Sequence, residues 1–237
     1  MDLIKLVTQS YRGFVPNCEA HGILETIHVY IWDLISGPAF CRVRYQLLAP
    51  GMEQRLLRTV QDFARFFASA WIRRPEVNPP PGLLEEYSGM LAQLSQRLPV
   101  RFQPKLDEVR QSLPLLFRPG YPMTIQHDDL LENNIHVDEA TGSITGIVDW
   151  QDAMIAPFGV SLSGLETVLG VQTQIGWHLH PSHVSLREQF WDTFYREIGE
   201  ISKADQCSIE VARLLGLFRT HGPEDNAAAY LDALCPL

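Results

Sequence analysis

The chain has 237 residues, 46% hydrophobic and 20% charged, and a formal net charge of -9. Those proportions describe one large or two small globular domains rather than a disordered chain, and the acidic balance argues against a nucleic-acid backbone as the main partner. Four scattered cysteines with no CxxC pair argue against a zinc knuckle and suit a reduced compartment.

The start, MDLIKLVTQSYRGF, has charges inside its apolar run and makes a poor secretory signal. No apolar run reaches the roughly 20 residues of a membrane span. A cytoplasmic protein without nucleic-acid or membrane partners is the expectation. The segment MDLIKLVTQSY reads as the last turns of a helix, and GFVPNCEAHGILE as a strand broken by turns. Residues 27–35, IHVYIWDLI, are β-branched and aromatic, which predicts a buried strand ended by SGP at 36–38.

Leu56, Val60, Phe63, Phe67 and Trp71 recur at spacings of three and four, so 53–71 is predicted to be a helix with one apolar face. Four prolines in RRPEVNPPPG at 73–82 break it. A second helix carries Leu83, Leu84, Tyr87, Leu91, Leu94 and Leu98, and a third covers 105–116. After residue 150 the segments 161–170, 185–199 and 208–222 all show helical periodicity and end in glycine.

Between these helices, IHVD at 135–138 and ITGIVDW at 144–150 flank the turn EATGS and predict a hairpin. In an antiparallel pair, Asn134 before one strand lies beside Asp149 at the end of the other. His127, Asp129, Asn134 and Asp149 therefore converge. The spacing His-x-Asp-x-x-x-x-Asn is that of a kinase catalytic loop. Such chemistry needs a carboxylate to orient a hydroxyl, and oxygen ligands for a hard divalent cation. Taken singly, each residue has a bland reading: Asp149 caps a strand, Asn134 satisfies a turn. His127-Asp128 also fits a His-Asp phosphohydrolase, but the further histidines, in GWHLHPSH at 176–183, are interrupted by Pro181.

The stretch HDDLLENNIHVDEATGSITGIVDW resembles the aminoglycoside phosphotransferase family, which has the protein-kinase-like fold; the tryptophan after Asp149 is typical of it. QDFARFFASAW at 61–71 and PFGVSLSGLETVLG at 157–170 resemble a fungal branch, and the likeness runs from about residue 15 to about 200. The resemblance implies an α+β, mainly α fold, chiefly the helical C-terminal lobe with a small catalytic hairpin. It implies Asp129 as the catalytic aspartate, His127 as the brace of the loop, and Asn134 and Asp149 as ligands of Mg²⁺. The backbone around Asp33 and Ile35 would face the adenine of ATP, and a hydroxyl of a small molecule would be the acceptor. Acids of the helical part, Glu166, Asp192 and Glu197, would be available to hold a cationic substrate. The hairpin is expected to lie on helices 53–71 and 159–170 with Trp150 packed inward.

One part of the family pattern has no counterpart. A nucleotide lobe takes at least roughly 40 residues before the hinge, but here the hinge-like strand starts near residue 28. No Gly-rich loop precedes it, and Lys5 is the only earlier lysine. Residues 1–38 are read as a remnant of the nucleotide lobe with its hinge strand, and 39–237 as the helical lobe. Two expectations follow: a full phosphotransferase whose start is misplaced, or a shortened, catalytically weak pseudoenzyme that serves as a protein partner.

Overall fold

The computed structural model describes residues 3–173, 176–223 and 227–234. The chain begins with α1 (Leu3–Ser10), a hairpin of β1 (Cys18–Leu24) and β2 (Ile27–Trp32), and α2 (Phe40–Leu47). Three helices follow: α3 (Glu53–Ile72), α4 (Leu83–Arg97) and α5 (Gln103–Ser112). Four short strands come next: β3 (Met123–Gln126), β4 (Ile135–Val137), β5 (Ile144–Ile147) and β6 (Met154–Pro157). The remainder is α6 (Leu165–Leu169), the hairpin β7 (Gly170–Thr173) and β8 (Gly176–Leu179), then α7 (His183–Ile198), α8 (Lys203–His221) and α9 (Ala227–Leu234). The fold is 54% helical, so α+β with helix dominant.

Helix α3 is the spine. The expected face is buried, and Ala64, Phe66, Ala68 and Ala70 are buried as well. The helix is wrapped on several sides, chiefly by α7. Phe63 and Phe67 meet at 5.1 Å, and Phe67 meets Phe190 of α7 at 6.1 Å. Burying each such ring contributes about 1.5–3 kcal/mol, which outweighs the few tenths by which phenylalanine disfavours a helix. The N-terminal helix joins this core. Tyr11 stacks on Phe66 at 4.3 Å, and Ser69 Oγ–H donates to the Ser10 carbonyl at 2.6 Å.

Helix α3 also anchors the central hairpin, as expected. Thr59 Oγ1–H donates to the Gly142 carbonyl at 2.6 Å, and the Ile144 amide donates to the buried Asp62 carboxylate at 3.2 Å. Asp62 is balanced by Arg58 at 3.2 Å and Arg65 at 2.8 Å. At Gly142, φ is +76° and the Arg55 carbonyl lies 2.1 Å from where a Cβ would stand, so glycine alone fits.

Three expectations change. Residues 27–35 do not form a buried strand: β2 ends at Trp32 and is largely exposed, with Ile27 at 64% and Ile31 at 52%. Among the described residues it pairs only with β1, and a two-stranded sheet has no layer to bury against. The helix expected at 161–170 is a 3₁₀ turn, Val160–Gly164, followed by the short α6, because Gly170 starts β7. The third helix starts earlier than expected and gives way at Leu113 to a 3₁₀ turn that accommodates Pro114.

Candidate active site

The strand order sets the site. β3 pairs antiparallel with β6, and β4 pairs antiparallel with β5, so one hairpin is nested in a wider one. The two connections between the ladders, 127–134 and 148–153, are thereby forced face to face. The Val148 amide donates to the Asn134 carbonyl at 3.0 Å and ties them together.

His127 is a second tie. It is 3% exposed. Its Nε2–H donates to the Val148 carbonyl at 2.7 Å, and its Nδ1 accepts the Asp129 amide at 3.2 Å. Both ring nitrogens are thus used by one neutral tautomer. Burial lowers its pKa, opposed by the Val148 bond and the neighbouring acids. The ring lies 4.6 Å from that of Trp150. Trp150 is buried as expected, its Nε1–H donating to the Ile147 carbonyl at 2.9 Å.

Three acids crowd the first loop, and they are treated differently. Asp128 forms an ion pair with Arg219 of α8. Glu132 forms one with Arg44 of α2 at 2.5 Å. Asp129, between them, is exposed and meets no cation among the described residues. Its partner is the amide of Asn134, whose Nδ2–H groups donate to the Asp129 carbonyl at 2.8 Å and to Oδ2 at 3.2 Å. That orientation turns Asn134 Oδ1 to the other side, where it accepts from Asn133 at 3.0 Å.

Asp149 follows β5 with φ at +64°. Among the described residues the other non-glycine at positive φ, Glu25, sits in the two-residue turn between β1 and β2. Asp149 has no such hairpin turn to explain it. Left-handed backbone outside glycine costs free energy and clusters at functional sites. Its carboxylate is exposed and has no partner among the described residues.

Asp149 lines a cavity of about 680 Å³, as do Asp33 and Ile35. The structure therefore brings the hinge-like segment to the same cavity as the acid. Leu3 and Ile4 of α1 and Trp32 of β2 complete its apolar walls. Asp33 is partly committed: its amide donates to the Asn17 carbonyl at 3.0 Å, and its carboxylate accepts from Asn17 Nδ2 at 2.6 Å. The backbone groups of Leu34 and Ile35 have no partner among the described residues.

In donor type the residues suit a hard cation: Asn134 Oδ1, which accepts from Asn133, and the Asp149 carboxylate are oxygens that could serve as ligands, and Mg²⁺ commonly takes only one or two protein ligands, with water and substrate phosphates completing its shell. No group of three His, Cys, Asp or Glu side chains converges into a metal cage among the described residues. The acids proposed for a cationic substrate are not a cluster. Glu166 is 1% exposed and held by Arg187 at 2.5 Å and Arg213 at 3.5 Å, while Glu197 pairs with Arg65 at 3.5 Å. Sequence reasoning missed Arg44 and Arg219. Neither lies near the loop in sequence, and only the unusual density of acids at 128–132 signals a need for cations.

Residues 30–168 match the phosphotransferase enzyme family, abbreviated APH. Among solved structures, a protein from Ralstonia eutropha provisionally described as an aminoglycoside phosphotransferase aligns with a TM-score of 0.60 at 14% identity, over 92% of this chain and 70% of the other. Choline kinase from Cryptosporidium parvum aligns at 0.52 and 15% identity, over 96% and 71%. An aminoglycoside phosphotransferase from Streptomyces rimosus, in complex with ADP and streptomycin, aligns at 0.50 and 14% identity, over 90% and 80%. No curated protein matches in sequence. At these identities the likeness speaks for the protein-kinase-like fold. Among the described residues no helix is long and apolar enough to cross a membrane.

Proposed function

The chain belongs to the phosphotransferase enzyme family, and on that premise we propose that its facing loops form a site for phosphoryl transfer from ATP to a hydroxyl group of a small molecule. One observation carries the reading. The Asn134 side-chain amide holds Asp129 of one loop, while its backbone carbonyl accepts the Val148 amide of the other, immediately before Asp149, which lines the cavity.

In this reading the adenine lies against the Leu34–Ile35 backbone, whose unpaired groups supply one edge of hydrogen bonding. Asp129 accepts a hydrogen bond from the acceptor hydroxyl and aims its oxygen at the γ-phosphorus. The new O–P bond forms as the bond to the β–γ bridging oxygen breaks, ADP leaves, and the hydroxyl proton passes toward Asp129. Asn134 and Asp149 would hold Mg²⁺, which supplies charge neutralisation at the β- and γ-phosphates. His127 acts as a brace, since both its nitrogens are occupied.

A second reading, a weak or inactive pseudoenzyme, is favoured by one feature. Among the described residues lining the cavity there is no lysine or arginine. Losing a single preorganised electrostatic contact costs about 10²–10³ in rate, so turnover by this chain is expected to be at or near background. Transfer of labelled γ-phosphate to a panel of hydroxyl compounds separates the readings. Robust transfer that Asp129→Ala abolishes establishes the enzyme. Mg·ATP binding without transfer establishes the pseudoenzyme. Absence of both rejects the site.

A further inference from the structure

We infer that the cavity selects an uncharged, flat heteroaromatic ligand of nucleoside type, and that without metal it takes such a ligand at least as tightly as the triphosphate. This rests on the reading of the cavity as a nucleotide site and concerns where the binding energy comes from.

Size does not decide. A cavity of about 680 Å³ lies within the range of small-molecule sites and admits either ligand. The walls favour a ring. Tyr30 and Trp32 both line the cavity and are more than a third exposed, at 38% and 37%, so their faces are available for stacking. Beside them, the unpaired backbone groups of Leu34 and Ile35 offer a donor and an acceptor to a ring edge.

Charge opposes phosphates. The lining carries two carboxylates, Asp33 and Asp149. Neither is neutralised: Asp33 is bonded to the Asn17 amide, and Asp149 has no partner among the described residues. No lysine or arginine stands among the described lining residues to offset them, and the one basic side chain there, His136, has its Nδ1 bonded to the Gly37 carbonyl at 3.0 Å. A metal-free triphosphate therefore brings several negative charges toward two more, whereas a nucleoside brings none. The repulsion acts through solvent and is weakened by salt.

The test uses the 237-residue chain with a chelator present. Adenosine and ATP are titrated against tryptophan fluorescence at ionic strengths of about 0.01 M and about 0.15 M. Adenosine is expected to bind as tightly as ATP or more tightly. ATP should gain at least about threefold at the higher salt, with adenosine insensitive to it. Trp32→Ala should weaken adenosine roughly tenfold, the scale of one lost stacking contact. Metal-free ATP binding about tenfold tighter than adenosine would overturn the inference while leaving the nucleotide reading intact. So would Mg·ATP binding by a chain that ignores adenosine. Silence toward adenosine, ATP and Mg·ATP alike would overturn both.

Discussion

Arg219 of α8 forms an ion pair with Asp128, the residue immediately before Asp129. Arg44 of α2 does the same for Glu132, three residues after it. The loop is thus fastened on two sides by helices distant in sequence, and the acid between the fastenings is left to the solvent. The two arginines neutralise the acids on either side of Asp129 and fasten the loop that carries it.

The Asp128–Arg219 pair is half buried, so removing one partner strands a charge that water reaches only in part. Arg219→Met is expected to lower stability by about 1–3 kcal/mol, between the values for surface and buried pairs. In a chemical-denaturation cycle with Asp128→Asn, the double variant should lose clearly less than the sum of the singles. Strict additivity would mean that the two side chains do not interact in solution.

Trp150 links the site to the core. Its ring lies 4.8 Å from Tyr11 and 6.2 Å from Phe66, as well as beside His127. Trp150→Ala should cost about 3–5 kcal/mol, the usual range for deleting a buried aromatic. Trp150→Phe should cost less, since it keeps most of the packing and gives up the bond to the Ile147 carbonyl. A loss below about 1 kcal/mol in the alanine variant, well short of that range, would place the ring outside the core.

The buried histidine gives a pH dependence of known sign. Burial lowers the His127 pKa in the folded chain below its ordinary value of 6.5. As pH falls below that value the unfolded chain takes up the proton first, and stability drops. The loss continues until the folded-state pKa is reached and then levels off for this group. His183 is lowered too and adds to the same trend. Equilibrium unfolding between about pH 7.5 and about pH 5 should show the decline, and His127→Gln should flatten it. An equal slope in the variant would assign the effect to other groups.

The central hairpin, and with it the placing of the candidate site residues on its two bordering loops, is legible in the sequence because the signals are local. Asn134 and Asp149 border the two strands of one hairpin, and the turn residue Gly142 fixes its register. The facing of the loops has a second cause, the β3–β6 ladder, which joins residues about thirty apart and showed no periodicity in four-residue strands. Helix α3 was legible because its apolar spacing is long and regular. Strand β2 was misplaced in depth: its β-branched and aromatic run looks the same whether a second layer covers it or not. The arginine fastenings were invisible for a different reason, since an ion pair across about 90 residues leaves no pattern along the chain.

The proposed site depends above all on Mg²⁺ held by Asn134 and Asp149 against a bound nucleotide. Its most direct measure is calorimetric titration of Mg²⁺ into the chain with ATP present, for the wild type and for Asp149→Asn. The substitution removes the carboxylate and keeps its size. Mg²⁺ affinity is expected to be weaker by about tenfold or more in the variant, corresponding to at least about 1.4 kcal/mol. Equal affinity in the two proteins would contradict it.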